Sequence, residues 1–264
     1  MKHPAHPRFG LFNTEERILR SEEMGQSFRI GVWFPFTHQD SSRSFPVLYV
    51  PDGEYAFPLA AGLAPVLIGT QEAPELLIVG IAYHGIAGWR EHCLLRDRDL
   101  CPAGFQEPPA GSRIDAFVRF FEHHLFPLVE GQYRGRADDR AIFGFSSGGL
   151  FALHAMLTRP GMFRRHVAAA CTWPGADQYL LARECEYAAQ PTHPPVDLYL
   201  SAGSLDTEQR QGFDALVETL RSRQHPGLRM VAEVLEGEGH NAGTLAKTLL
   251  YGLRAVYAPG TQPA

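Results

Sequence analysis

From about residue 45 to its C-terminal end the chain alternates short, continuously apolar runs with segments of helical periodicity, and no other feature restricts its fold as strongly. The apolar runs are Val47–Val50 (VLYV), Leu76–Ala82 (LLIVGIA), Ala141–Phe145 (AIFGF), His166–Cys171 (HVAAAC), Leu198–Ser201 (LYLS) and Met230–Leu235 (MVAEVL). Runs of this length without a polar face suit strands buried on both sides. Between them, apolar residues recur at helical spacing over Ile114–Val129, Gly149–Leu157, Phe213–Leu220 and Leu245–Val256. Such alternation builds right-handed βαβ units, and hence an α/β fold with a mostly parallel sheet covered by helices. The run Ser27–Phe36 (SFRIGVWFPF) alternates instead, so it is expected as an antiparallel strand added at the sheet edge.

No long polar linker divides the 264 residues, and 45% hydrophobic content supplies one large core, so a single domain is expected. We place it at residues 26–258, after an N-terminal extension (1–25) and before a short tail (259–264). Residues 84–111 (HGIAGWREHCLLRDRDLCPAGFQEPPAG) are too long for an ordinary connection and too polar for a core strand, which predicts a functional loop that shapes a pocket. With 24 Lys+Arg against 29 Asp+Glu and no basic stripe, neither nucleic acid nor anionic lipid is an expected partner. No apolar stretch is long enough to span a membrane. The N-terminal MKHPAHPRFG carries prolines where a secretory signal would place its apolar run, so a cytoplasmic location is expected. In that reducing setting Cys93, Cys101, Cys171 and Cys185 read most simply as thiols, a Cys93–Cys101 bridge being the alternative.

The chemistry is carried by Gly144-Phe145-Ser146-Ser147-Gly148, a match to G-x-S-x-G, the turn that sets a serine on a sharp bend between strand and helix. Five residues alone are a weak signal, but an apolar strand precedes them and a helical pattern follows, as the motif requires. A serine hydroxyl is a poor nucleophile until a base takes its proton. Of twelve histidines, His240 is best placed: it follows the last apolar run, in the loop EGEGHNAG, and precedes the last helix. His84, His92, His123, His124, His154 and His193 read as surface or helix-face residues. The acid that orients His240 belongs at the end of the preceding strand, where VDLYLSAGSLDTE offers Asp206, with Glu208 as second choice. An aspartate there could instead cap the helix that follows.

Attack on a carbonyl moves negative charge onto its oxygen, which needs prearranged N–H donors. One is the backbone amide of Ser147, whose side chain needs no role; the other is the amide of Gly53 or Glu54 in the turn VPDGEYAF. Asp52, beside that turn glycine, reads as turn chemistry rather than as a catalytic carboxylate.

Taken together, Val47–Gly53 (VLYVPDG), Arg96–Pro102 (RDRDLCP), Gly144–Gly149 (GFSSGG) and Gly239-His240-Asn241 are similar to an esterase family of the α/β-hydrolase superfamily. That family includes enterochelin (ferric siderophore) esterases, S-formylglutathione hydrolases and mycolyltransferases, and the likeness spans roughly residues 26–256. The resemblance implies an α/β-hydrolase fold and a serine carboxylesterase without metal or organic cofactor. It sets the nucleophile on Ser146, the base on His240 and the acid on Asp206, although some siderophore esterases look like Ser-His dyads. It also implies that Arg96 and Asp99 organise a wall at the substrate mouth.

The implied substrate is a small-molecule ester, and the oligomeric state is left open. Arg96 and Arg98, with Trp173 near a strand end, are candidate substrate-binding residues for an aromatic or anionic ester, a catecholate siderophore lactone among them; Arg90, Tyr83 and Trp89 lie nearby. The arginines could equally pair with Asp97, Asp99 and Glu91 on the surface. Two competing readings use the same fold: an acyltransferase, which the missing secretory signal disfavours, and a non-catalytic binding protein, which the presence of all three triad residue types disfavours.

Overall fold

The computed structural model describes residues 10–105 and 111–258. Most of the expected N-terminal extension's first ten residues, the tail 259–264, and residues 106–110 of the long loop lie outside the described residues. In chain order the elements are β1 (Thr14–Ser21), β2 (Gln26–Trp33), β3 (Phe45–Pro51), α1 (Ala56–Gly69), β4 (Leu77–Tyr83), α2 (Trp89–Leu100), α3 (Ile114–Phe120), α4 (Phe126–Tyr133), β5 (Gly135–Phe145) and α5 (Ser147–Thr158). They continue with β6 (Arg165–Ala169), α6 (Ala176–Ala188), β7 (Val196–Gly203), α7 (Thr207–Arg223), β8 (Leu228–Leu235) and α8 (Ala242–Val256).

One sheet joins eight strands in the order β1-β2-β4-β3-β5-β6-β7-β8. The β1–β2 and β2–β4 pairs are antiparallel and all the others parallel, as the apolar runs predict. Successive strand residues point to opposite faces, so each parallel strand feeds two cores. Leu48, Val50, Ala141, Phe143 and Val167 pack under α1 and α8, while Val47, Tyr49, Ile142, Ala168 and Leu198 pack with residues of α3 to α7. The chain steps from β3 to β4 on one side and then to β5 on the other. A crevice therefore opens beyond the C-terminal ends of β3 and β5, where ligands of open α/β sheets bind.

The structure differs from the sequence expectation at three places. The alternating run at 26–33 is not the edge: β1 pairs outside it, with residues such as Ile18 half exposed. Within 84–111, residues 89–100 are helical, although only His92, Asp99 and Leu100 of α2 are buried. The helical pattern from Ile114 is continuous in direction but carries a π-helical turn at Phe121–Leu125, just before Pro127 in α4. Proline has no N–H to donate to the preceding turn, and a wider turn absorbs that loss.

A buried charge cluster lies at the opposite, N-terminal ends of the central strands, where Arg165 at the start of β6 donates to Asp139 of β5 (2.7 Å) and Asp197 of β7 (3.0 Å). Arg164 and Arg229 also pair with Asp197, at 2.8 Å each, so the carboxylates are compensated away from the crevice.

Candidate active site

Ser146 occupies the bend between β5 and α5 with φ 57° and ψ −122°, a left-handed backbone that costs an L-residue of order 1–3 kcal/mol. Glycines make the bend possible. A Cβ on Gly144 would stand 2.0 Å from the Gly148 carbonyl oxygen, and one on Gly149 2.8 Å from the Ala169 carbonyl oxygen. The Ser146 amide donates to Ala169 (2.8 Å), and its carbonyl accepts from Leu150 in the first turn of α5 (2.9 Å). The hydroxyl is thereby held at the crevice rim.

Ser146 Oγ lies 3.1 Å from His240 Nε2, and His240 Nδ1 lies 3.1 Å from Asp206 Oδ2. With the Nδ1 proton donated to Asp206, Nε2 is free to accept from the serine hydroxyl. Asp206 is at the N-terminus of α7, yet its side chain makes no capping bond there and turns to His240 instead. Glu208 is exposed in the first turn of α7.

Two local features bring the histidine loop to this spot. At the end of β7, Gly203 leaves room for the chain after β8: a Cβ there would sit 2.3 Å from the Glu238 carbonyl oxygen, which accepts the Leu205 amide at 2.8 Å. At the start of α8, Asn241 Oδ1 accepts the Thr244 amide (3.0 Å) and the Thr244 hydroxyl donates to the Gly239 carbonyl (2.6 Å). This N-cap fixes the residue before it, His240.

Of the two amides considered in the β3–α1 turn, that of Gly53 donates to the Ile81 carbonyl (2.8 Å) and is unavailable to a substrate. The choice narrows to Glu54. The Glu54 carboxylate accepts the Tyr83 amide (2.7 Å) and lies 3.4 Å from His92 Nδ1. Burial would raise its pKa, but His92, the Tyr83 amide and the Glu54 amide itself together outweigh that and hold it below the ordinary carboxylate value. His92, expected on the surface, is buried, with its ring stacked on Trp89 at 4.8 Å. Ser147, expected to need no side-chain role, donates its hydroxyl to Asp97 Oδ1 (3.2 Å).

A cavity of about 490 Å³ opens over Ser146 and His240, walled by Tyr55, Trp89, Cys93, Arg96, Phe145 and Leu245 among others. Trp89 is 66% exposed and stands at its rim. The predicted substrate-binding residues divide. Arg96 lines the cavity, but its guanidinium is engaged by Asp52 and the Phe145 carbonyl. Burial works against that charge, and the Asp52 carboxylate more than offsets it, leaving the Arg96 pKa above its ordinary value. Arg98 does not line the cavity: it pairs with buried Asp99 (2.6 Å) and donates to Gln26. Trp173 does not line it either and packs edge-on against Phe105. Trp89 and Tyr55 supply the aromatic surface instead. Asp52 sits in the turn expected of it, with a left-handed backbone (φ 67°), and also holds the Arg96 ion pair, a contact 44 residues away that no local pattern reveals.

Among the described residues, no group of three or more His, Cys, Asp or Glu side chains could hold a metal, and no helix is long and apolar enough to cross a membrane. None of the four cysteines is in a disulfide.

Two kinds of likeness bear on this site. Over 255 residues the chain is 26% identical to the ferri-bacillibactin esterase BesA of Bacillus subtilis, covering 88% of this chain and 86% of that protein. Over 241 residues it is 26% identical to the siderophore triacetylfusarinine C esterase of Aspergillus fumigatus, covering 86% and 80%. Its fold matches that of the BES protein from Bacillus cereus with a TM-score of 0.84 at 24% identity, over 97% of this chain and 99% of the other. The siderophore hydrolase EstB from Aspergillus nidulans superposes with a TM-score of 0.80 at 21% identity, over 98% and 100%. A family model described as Putative esterase matches residues 21–240, most of the chain and all of Ser146, Asp206 and His240, so the chain belongs to that esterase family and is a hydrolase of carboxylic esters on an α/β-hydrolase fold.

Proposed function

We propose that the chain hydrolyses the ester bonds of a siderophore through an acyl-enzyme on Ser146. The observation that carries the mechanism is the unbroken relay from Ser146 Oγ to His240 to Asp206, with two contacts of 3.1 Å at the mouth of the cavity. In the first half-reaction Ser146 attacks the ester carbonyl while His240 Nε2 takes the hydroxyl proton. The new imidazolium is stabilised by Asp206. The tetrahedral oxyanion is met by the backbone amides of Ser147 and Glu54, and His240 then protonates the departing alcohol. In the second half-reaction water, deprotonated by His240, attacks the acyl-serine and releases the acid.

The substrate assignment draws on relatives named for ferri-bacillibactin and triacetylfusarinine C, and on the cavity of this chain. Tyr55, Trp89 and Phe145 present aromatic surface beside Ser146, which suits a planar acyl group such as the catecholate arm of a lactone siderophore. A cytoplasmic setting completes this reading, in keeping with four cysteines outside any disulfide.

The test compares hydrolysis of ferri-bacillibactin and of p-nitrophenyl butyrate by product chromatography. The proposal predicts turnover of both, a higher kcat/KM for the siderophore, and loss of both on Ser146→Ala. Turnover of the simple ester with the siderophore untouched would refute the substrate and keep the chemistry.

A further inference from the structure

Strand β1 ends the sheet on one side, and among the described residues no strand pairs with its outer edge. The Phe34 amide donates to the Asn13 carbonyl (3.1 Å), and β1 then pairs with β2 from Thr14 opposite Trp33 to Ser21 opposite Gln26. Antiparallel ladders alternate hydrogen-bonded and non-hydrogen-bonded pairs, so Glu15, Arg17 and Leu19 commit their backbone groups to β2. The N–H and C=O groups of Glu16, Ile18 and Arg20 therefore point outward. The run Glu16-Arg17-Ile18-Leu19-Arg20 is self-complementary along that edge. Turned antiparallel to a second copy about Ile18, it sets Ile18 opposite Ile18 and each Glu16 opposite the other copy's Arg20. We propose that the outer edge of β1 is an interaction surface for a second copy of this chain, joined about a two-fold axis at Ile18 so that one sheet runs through both molecules.

Hydrogen bonding, charge and exposure agree on this register. The residues it opposes are those whose backbone groups face outward, so each pair can exchange two hydrogen bonds. Centring on Arg17 or Leu19 would instead oppose Ile18 to Glu16 or to Arg20 and lose the match of charge. Charges on a free edge ordinarily keep other strands away, but here a second copy meets opposite sign at both positions. Glu16 is exposed and reaches only Arg29 of β2, at 3.5 Å, while Arg20 makes no ion pair among the described residues. Between them Ile18 is 50% exposed, a β-branched side chain that its own copy would cover. The opposite edge, β8, carries a similar pattern about Val231, with Arg229 and Glu233 in the outer places. Those charges are already engaged within the molecule, Arg229 by Asp197 (2.8 Å) and Glu233 by the Tyr199 hydroxyl (2.5 Å). A single strand pair belongs with interfaces below about 1,200 Å², so association is expected at roughly tens to hundreds of micromolar.

Sedimentation velocity of the full chain from about 1 to 500 µM should show a reversible monomer–dimer equilibrium. Glu16→Arg and Arg20→Glu each set like charges opposite one another twice across the two-fold axis, and each should weaken association by about tenfold or more. Mixing the two single variants places every reversed charge opposite its complement and should recover a dimer that holds one copy of each. Combining both changes in one chain should recover self-association in the same way. Melting curves establish that each variant is folded; if one single variant is not, the other and the double variant decide. A wild type that stays monomeric at about 500 µM would overturn the proposal and leave the edge to solvent or to a strand of another protein. A dimer that survives both single reversals would overturn it by placing the interface elsewhere, and so would single variants that stay apart when mixed. None of these results bears on the hydrolase reading of Ser146.

Discussion

Replacing Gly203 by alanine tests how the fold delivers His240. The added methyl would stand 2.3 Å from the Glu238 carbonyl oxygen, 2.7 Å from its carbon and 2.9 Å from the Gly239 carbonyl oxygen, whereas ordinary contacts begin near 3.4 Å. All three atoms are backbone, so no side chain can swing away, and the chain after β8 must retreat by about 1 Å. Glu238 is two residues before His240, and its carbonyl is tied to the Leu205 amide beside Asp206. Retreat therefore moves the imidazole relative to both of its partners. A displacement of about 1 Å costs about 100-fold in rate, and overpacking costs about 1–3 kcal/mol, less than the stability of a typical domain. Gly203→Ala should remain folded, lower kcat for p-nitrophenyl butyrate by about 100-fold, and leave KM within about threefold. The same factor should appear in the rate of labelling by a fluorophosphonate. A folded variant with kcat within about threefold of wild type would refute the argument that this close approach positions the base.

Other consequences are as direct. Asp206→Asn should lower kcat by about 10²- to 10⁴-fold, while Glu208→Gln leaves it nearly unchanged; equal activity of Asp206→Asn and wild type would mark a Ser-His dyad. Because the Asp206 side chain makes no capping bond, the same change should cost less than the roughly 1 kcal/mol of a lost cap in thermal melts. Trp89→Ala should raise KM for an aryl siderophore ester more than for p-nitrophenyl butyrate, and equal effects would remove Trp89 from substrate recognition. Burial lowers the pKa of His166 to about 4, below the ordinary histidine value, despite carbonyl partners at Ala152 and Phe163. Between about pH 6.5 and 4 the unfolded chain therefore binds a proton that the folded chain refuses. Stability contributed by neutral His166 is present above that window and is lost as pH falls through it. Denaturant midpoints measured across the window should fall with pH, and a His166→Gln variant should show a flatter dependence; identical slopes would rule out His166 as the source.

How much the sequence reveals depends on whether a contact is local. The continuous apolar runs marked the parallel strands because burial on both faces leaves no polar alternation, and the strand–turn–helix setting of Ser146 follows from neighbouring residues. Strand β5 extends back to Gly135 through GRADDR, where no apolar signal exists. Helix α1 is hard to see because Pro65 interrupts it and apolar residues lie on several sides, and α2 because its charges hide any apolar face. Strand β1 is mostly exposed, so burial left little pattern in TEERILRS. In the site, chain order pointed to Ser146, His240 and Asp206, the residues the fold brings together. The absence of Arg98 and Trp173 from the cavity lining, with Arg98 on Gln26 and Trp173 on Phe105, and the commitment of the Gly53 amide to Ile81 depend on distant partners that spacing does not encode. The same holds for Arg96, whose partners lie 44 and 49 residues away.

The most direct test of the account is to locate the covalent adduct. Wild-type protein treated with a fluorophosphonate and digested should carry the added mass on the peptide containing Ser146 and on no other serine, with ester turnover falling in proportion to labelling. Turnover that survives complete labelling of Ser146, or that persists in Ser146→Ala, would contradict the nucleophile on which the whole mechanism turns.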